Sequence, residues 1–254
     1  MYDPVVYVSF GRFLQYLSQL VCRHGYRDWI AGRVAIDRAE ALVRKFDRRY
    51  GLEKSRSQRH GAAAEGRANY ILVMCPVNES TSLTWVLLRT AGDAVVDDEE
   101  WKNAWARDGR LRVEGFVLRR LPRTAAALDA ARRQNEKRGK PSHVASSSWT
   151  WEMEPALLGA WRKQARVAAM RAAKGDRRAL NRFLKALAAA PGSRGVRTQV
   201  VDLGRYLNRE LHRRKVQAHN FDRPPRYLRF RKARKYPLSF VAERWRSGAH
   251  AFFA

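Results

Sequence analysis

Forty of the 254 residues are arginine and only 11 are lysine. Arginine takes up no proton near neutral pH, but its planar fork grips phosphate through two donors and stabilises charge developing on a phosphorane. Arg12, Arg23, Arg27, Arg33 and Arg38 cluster near the N-terminus, Arg194 and Arg197 flank a glycine turn, and a further run extends from Arg223 to Arg234. The chemistry open to such a set is phosphate handling. RNA supplies its own nucleophile, the 2′-hydroxyl. A site that aligns this group with the scissile phosphate and neutralises the developing charge can therefore cleave without a metal or a covalent intermediate. His24, beside Arg23, is a candidate general base, because an imidazole ordinarily titrates near neutrality. The alternative for His24 is a solvent-facing residue ending a helix before Gly25.

For any single arginine the plainer reading is a passive phosphate contact or a salt bridge. Arg162, Arg166, Arg171, Arg177, Arg178 and Arg182 read as a surface that tracks a phosphate backbone along helix flanks. The turn Pro191-Gly192-Ser193-Arg194-Gly195-Val196-Arg197 offers the free N–H groups of a helix start to a phosphate, or simply joins two helices. In the tail, Arg226, Arg229 and Arg231 alternate with apolar residues, as a half-buried strand with one charged face would. Trp149, Trp151 and Trp161 are either core residues or stacking surfaces for unpaired bases. No GxxxxGK[ST] loop and no GxGxxG follows a strand, and none of the six histidines forms the paired arrangement of a metal-dependent nicking enzyme. Asp97-Asp98-Glu99-Glu100 reads as the acidic first turn of a short helix rather than a metal site, since adjacent carboxylates on one turn diverge. Neither a metal nor a cofactor is expected.

The elements that must position these residues belong to a folded chain: 45% of residues are hydrophobic and eight are Trp, despite a net charge of +27. Cys22 and Cys75 form neither a CxxC pair nor a disulfide framework, and no apolar stretch is long enough to span a bilayer. A cytoplasmic location is expected, with no membrane partner. Val5–Phe10 reads as a strand feeding a helix, and Val34–Tyr50 as a second amphipathic helix after breaks at Gly25 and Gly32. Residues 53–66 read as an exposed basic loop. Tyr70–Cys75 and Leu83–Leu88 read as a hairpin, Arg110–Leu118 as another strand, and Ser146–Met153 as a further one. Helices follow over Pro155–Ala173 and Asp176–Ala190, and from about Thr198 to Lys215.

The expected organisation is an N-terminal α+β domain over 1–122, a basic helical subdomain over 123–216, and a strand segment over 217–254 returning to the α+β base. This Arg-rich plan resembles the CRISPR RNA-processing endoribonucleases of the repeat-associated superfamily, in particular the type IV branch. The resemblance implies a ferredoxin-like or RNA-recognition-like sheet with an inserted helical finger. It further implies cleavage of repeat RNA beside a stem-loop, retention of the product as guide RNA, and CRISPR effector-complex subunits as partners. The positions that match its catalytic arginines are Arg23 and Arg38, with Arg244 or Arg246 approaching them; no matching glycine-rich loop is identifiable. A non-catalytic DNA-binding protein of a plasmid replication system or mobile element, reading the turn at Gly192 as a helix-turn-helix, is the alternative. A structural RNA binder is a third reading.

Overall fold

The computed structural model describes residues 2–76, 81–94, 99–139, 144–217 and 234–248. Its base is a six-stranded mixed sheet. The chain runs β1 (Val5–Tyr7), α1 (Phe10–Arg23), β2 (Tyr26–Ala35), α2 (Ile36–Tyr50), α3 (Arg56–Ala64), β3 (Tyr70–Pro76), β4 (Ser82–Thr90) and β5 (Lys102–Asn103). After a second layer it returns as β9 (Lys235–Pro237) and α8 (Leu238–Arg246). The strand order is β5-β2-β4-β3-β1-β9, with β1 parallel to β3 and the other pairings antiparallel.

Both faces of this sheet are covered, so β3 reads as one continuous apolar run. Ile71, Val73 and Cys75 pack with α1 on one face. Tyr70, Leu72 and Met74 pack with α2 and α8 on the other. A ferredoxin-like succession would be β-α-β-β-α-β. The observed one is β-α-β-α-α-β-β, because β2 runs straight into α2 instead of turning into a hairpin.

The second layer is a three-stranded sheet of β6 (Arg112–Val113), β7 (Phe116–Pro122) and β8 (Ser147–Met153), with α4 (Ala125–Glu136) between β7 and β8. Three helices follow, α5 (Pro155–Ala173), α6 (Arg177–Ala189) and α7 (Arg194–His212). The alanine face of α5 (Ala165, Ala168, Ala169, Ala172) is buried in the same core as Val196, Val200 and Leu203 of α7, small side chains letting the helices approach closely. The Trp151 indole N–H points at the Leu14 carbonyl (2.8 Å) and the Ser18 hydroxyl (2.7 Å), fastening β8 to α1. One core thus crosses the expected boundary at residue 122, and α5–α7 pack onto the base through β8 rather than projecting from it. By contrast, α4 has no buried residue.

Several expectations change. Gly32 does not break the chain: it lies inside β2, where an added Cβ would stand 2.7 Å from the Trp85 ring. Residues 56–64 are helix, because Ser55 and Gln58 form a reciprocal capping box. Glu114 and Gly115 both have positive φ (50° and 77°), which folds 110–118 into a β6–β7 hairpin. Glu99 and Glu100 open no helix. The chain passes into β5, and the Glu99 carboxylate lies 3.7 Å from Arg49. Asp97, Asp98 and the strand expected around Arg226–Arg231 lie outside the described residues.

Candidate nucleic-acid interface

The apolar stripe of α1 (Phe13, Leu14, Leu17, Leu20, Val21) is spent on the core. That leaves Gln15, Gln19 and Arg23, each four residues after the last, on a common flank. This flank forms one wall of a groove of about 620 Å³. A second wall is the start of β8, with Ser147 and Trp149, and the third is the N-terminus of α7 with Ser193 and Arg194. Arg123, just after β7, completes a set of three guanidinium groups, with no carboxylate, among the described residues that line the groove. The Cys22 thiol also lines the groove, but burial pushes its pKa up to about 12, so it is protonated and a poor nucleophile at neutral pH.

The turn before α7 is built for packing. The Gly195 N–H donates to the Thr150 hydroxyl (2.9 Å), and the Ser193 hydroxyl donates to the Trp151 carbonyl (3.0 Å). A Cβ on Gly195 would stand 2.6 Å from that same carbonyl oxygen, so only glycine lets α7 sit this close to β8. Arg194 is held in turn by a bond from its guanidinium to the Leu121 carbonyl (3.2 Å).

Beside the groove stands an aromatic pair. The Trp105 ring lies 5.7 Å from that of Trp149 at an interplanar angle of 49°, and the Arg27 guanidinium sits 4.4 Å from the Trp105 centroid. Trp105 is 45% exposed. Sequence reading weighed Trp149 for stacking but passed over Trp105 and Arg123. The signal for Trp105 was a tryptophan in a stretch without apolar periodicity, Trp105-Ala106-Arg107-Asp108-Gly109-Arg110. Trp151, by contrast, is core (2% exposed), and Trp161 is half-buried against Phe183.

Arg23, Arg27 and Arg194 are therefore brought to one region. His24 closes α1 as its exposed C-terminal cap and does not line the groove. Arg38 does not join them. Arg23 precedes β2 and Arg38 follows it; ten strand residues put the two ends roughly 30 Å apart. The two helices also cover opposite faces of the sheet. The C-terminal arginine comes to the wrong end for a joint site: Arg246 bonds Glu40 of α2 (2.9 Å).

Arg33 is engaged by Glu114, its Nε 2.9 Å from the carboxylate, which also accepts from the Thr84 hydroxyl. Burial acts to raise the Glu114 carboxyl, but the bonds from Arg33 and Thr84 outweigh it and hold it below the usual carboxylate range. Arg33 is thus a salt-bridge residue. Arg162 and Arg166 on α5, and Arg177 and Arg178 at the start of α6, are exposed, and Arg197 on α7 is half-buried. These five lie outside the groove lining. Arg226, Arg229 and Arg231 lie outside the described residues.

Among the described residues no cluster of three or more His, Cys, Asp or Glu could hold a metal ion, and no helix is long and apolar enough to cross a membrane. Comparison with known protein families, curated proteins and solved structures finds no match to the chain.

Proposed function

We propose that this protein binds RNA in the α1–β8–α7 groove and cleaves it there by attack of the 2′-hydroxyl. The observation that carries the binding is the convergence of Arg23, Arg123 and Arg194 on a groove with an aromatic wall and no carboxylate among its described lining residues. In the cleavage step the 2′-oxygen gives up its proton and bonds to phosphorus while the bond from phosphorus to the 5′-oxygen breaks, the 5′-oxygen taking a proton from solvent water and a 2′,3′-cyclic phosphate remaining. Arg23 stabilises the charge on the phosphoryl oxygens, and no arginine can take the proton. His24 adjoins Arg23 in sequence but lies outside the groove lining, so as the candidate base it would take the proton through an intervening water. The resemblance to type IV CRISPR RNA-processing enzymes makes a repeat RNA with a stem-loop the substrate to try first. It also makes a retained guide RNA the expected product, alongside CRISPR effector-complex subunits.

The DNA-binding alternative has less support. A recognition helix reads bases with its N-terminal residues, yet Gly195 and Val196 at the start of α7 are buried against β8. The deciding experiment incubates the protein in EDTA with labelled repeat RNA, the same RNA carrying a 2′-deoxy nucleotide at the scissile position, the all-DNA analogue and a duplex DNA. Site-specific cutting of the first alone is expected. Continued cutting of the 2′-deoxy substrate, or preferred binding of duplex DNA without cutting, overturns the reading.

A further inference from the structure

Exposing nearly half of a tryptophan forfeits burial that a large indole would normally contribute, yet Trp105 is held out by a loop with little freedom. Its backbone N–H donates to the Asn103 side-chain oxygen (2.9 Å), and the Asn103 amide is itself anchored to Asp28 (3.1 Å). The Ala104 N–H donates to the Arg27 carbonyl (2.8 Å), with the Ala104 side chain fully buried beneath. The far end of the loop is tied by the Trp29 indole N–H to the Gly109 carbonyl (2.7 Å). Gly109 is required there, since a Cβ would stand 2.4 Å from the Asn103 carbonyl oxygen. The ring is therefore preorganised, with Arg27 over it and Trp149 leading into the groove. Arg107 and Arg110 follow it in the loop, with Asp108 between them.

From this geometry we propose that Trp105 is a stacking platform for one unpaired nucleobase, Arg27 taking the adjoining phosphate, at the entrance to the arginine groove. The preferred RNA then carries a single-stranded flank next to any stem, and a blunt duplex leaves the platform empty. This rests on the RNA-binding reading above. A π-face accepts any base, so the platform selects unpaired structure rather than sequence.

The test measures affinity by fluorescence anisotropy for a labelled RNA hairpin with and without a single-stranded flank. Wild type is compared with Trp105→Ala, Trp105→Leu and Trp105→Phe, each first checked for an unchanged melting temperature. The Ala and Leu variants should bind the flanked hairpin about tenfold more weakly and the blunt one as wild type does, with Phe restoring most of the loss, as expected for one stacked base. Equal affinity of all four proteins for the flanked RNA, or an equal loss on both RNAs, overturns the platform while leaving the groove reading in place. Failure of the wild type to bind either RNA overturns the groove reading itself.

Discussion

Arg23 and Arg38 carry the same functional group but opposite expectations. Replacing Arg23 by Ala should lower single-turnover cleavage of repeat RNA by about 10²- to 10³-fold, the usual cost of losing one donor to a developing oxyanion. Arg38→Ala should leave the rate unchanged, because its helix lies on the other face of the sheet; equal losses in the two variants would restore a shared site. Glu210 is a second residue whose role is electrostatic. It is 4% exposed, bonded to Arg214 (2.7 Å) and Arg213 (3.0 Å), with Arg166 also facing it. The hydrogen bond from Arg214 leads the effects that hold its carboxyl below the ordinary value of 4.5. A carboxyl lowered on folding contributes stability that is fully present above its unfolded pKa and is lost as pH falls through the folded one. The melting temperature of wild type should therefore exceed that of Glu210→Gln at neutral pH, and the gap should close on acidification below about pH 4. A gap constant with pH would show that the ion pairs contribute nothing.

At the scale of elements, two glycines separate packing from conformational freedom. Gly195→Ala forces a methyl to within 2.6 Å of the Trp151 carbonyl and should cost about 1–3 kcal/mol in urea unfolding, as overpacking generally does. Gly61, inside α3, has nothing within 4 Å of its missing Cβ, so Gly61→Ala should stabilise by about 0.5–1 kcal/mol. A stabilised Gly195→Ala protein would contradict the close approach of α7 to β8. The amphipathic helices and the β3–β4 hairpin were legible in sequence, because each buries a periodic apolar stripe. The strand β2 was not, since its alternation is interrupted by Asp28, Gly32 and Arg33, whose reasons lie in Arg89, Trp85 and Glu114 on other elements. The capping box at Ser55 was readable but lay among residues with no apolar period.

For the whole molecule, the charge of +27 predicts RNA binding that weakens steeply with salt. Arg123→Ala should reduce the slope of log affinity against log salt by about 0.7, the share of one phosphate contact on a single strand. Arg38→Ala should leave the slope as in wild type, and equal slopes in all three proteins would place the phosphates elsewhere. The sequence by itself determined the charge of +27, the excess of arginine over lysine and most helices, because composition and periodicity are local properties. Tertiary structure alone decided which arginines share a site. The covered sheet sends α1 and α2 to opposite faces and separates Arg23 from Arg38. The β7–β8 sheet carries Arg123 and Trp149, distant in the chain, to the flank of α1. Such proximity is set by strand pairing across long intervals, which residue spacing does not encode.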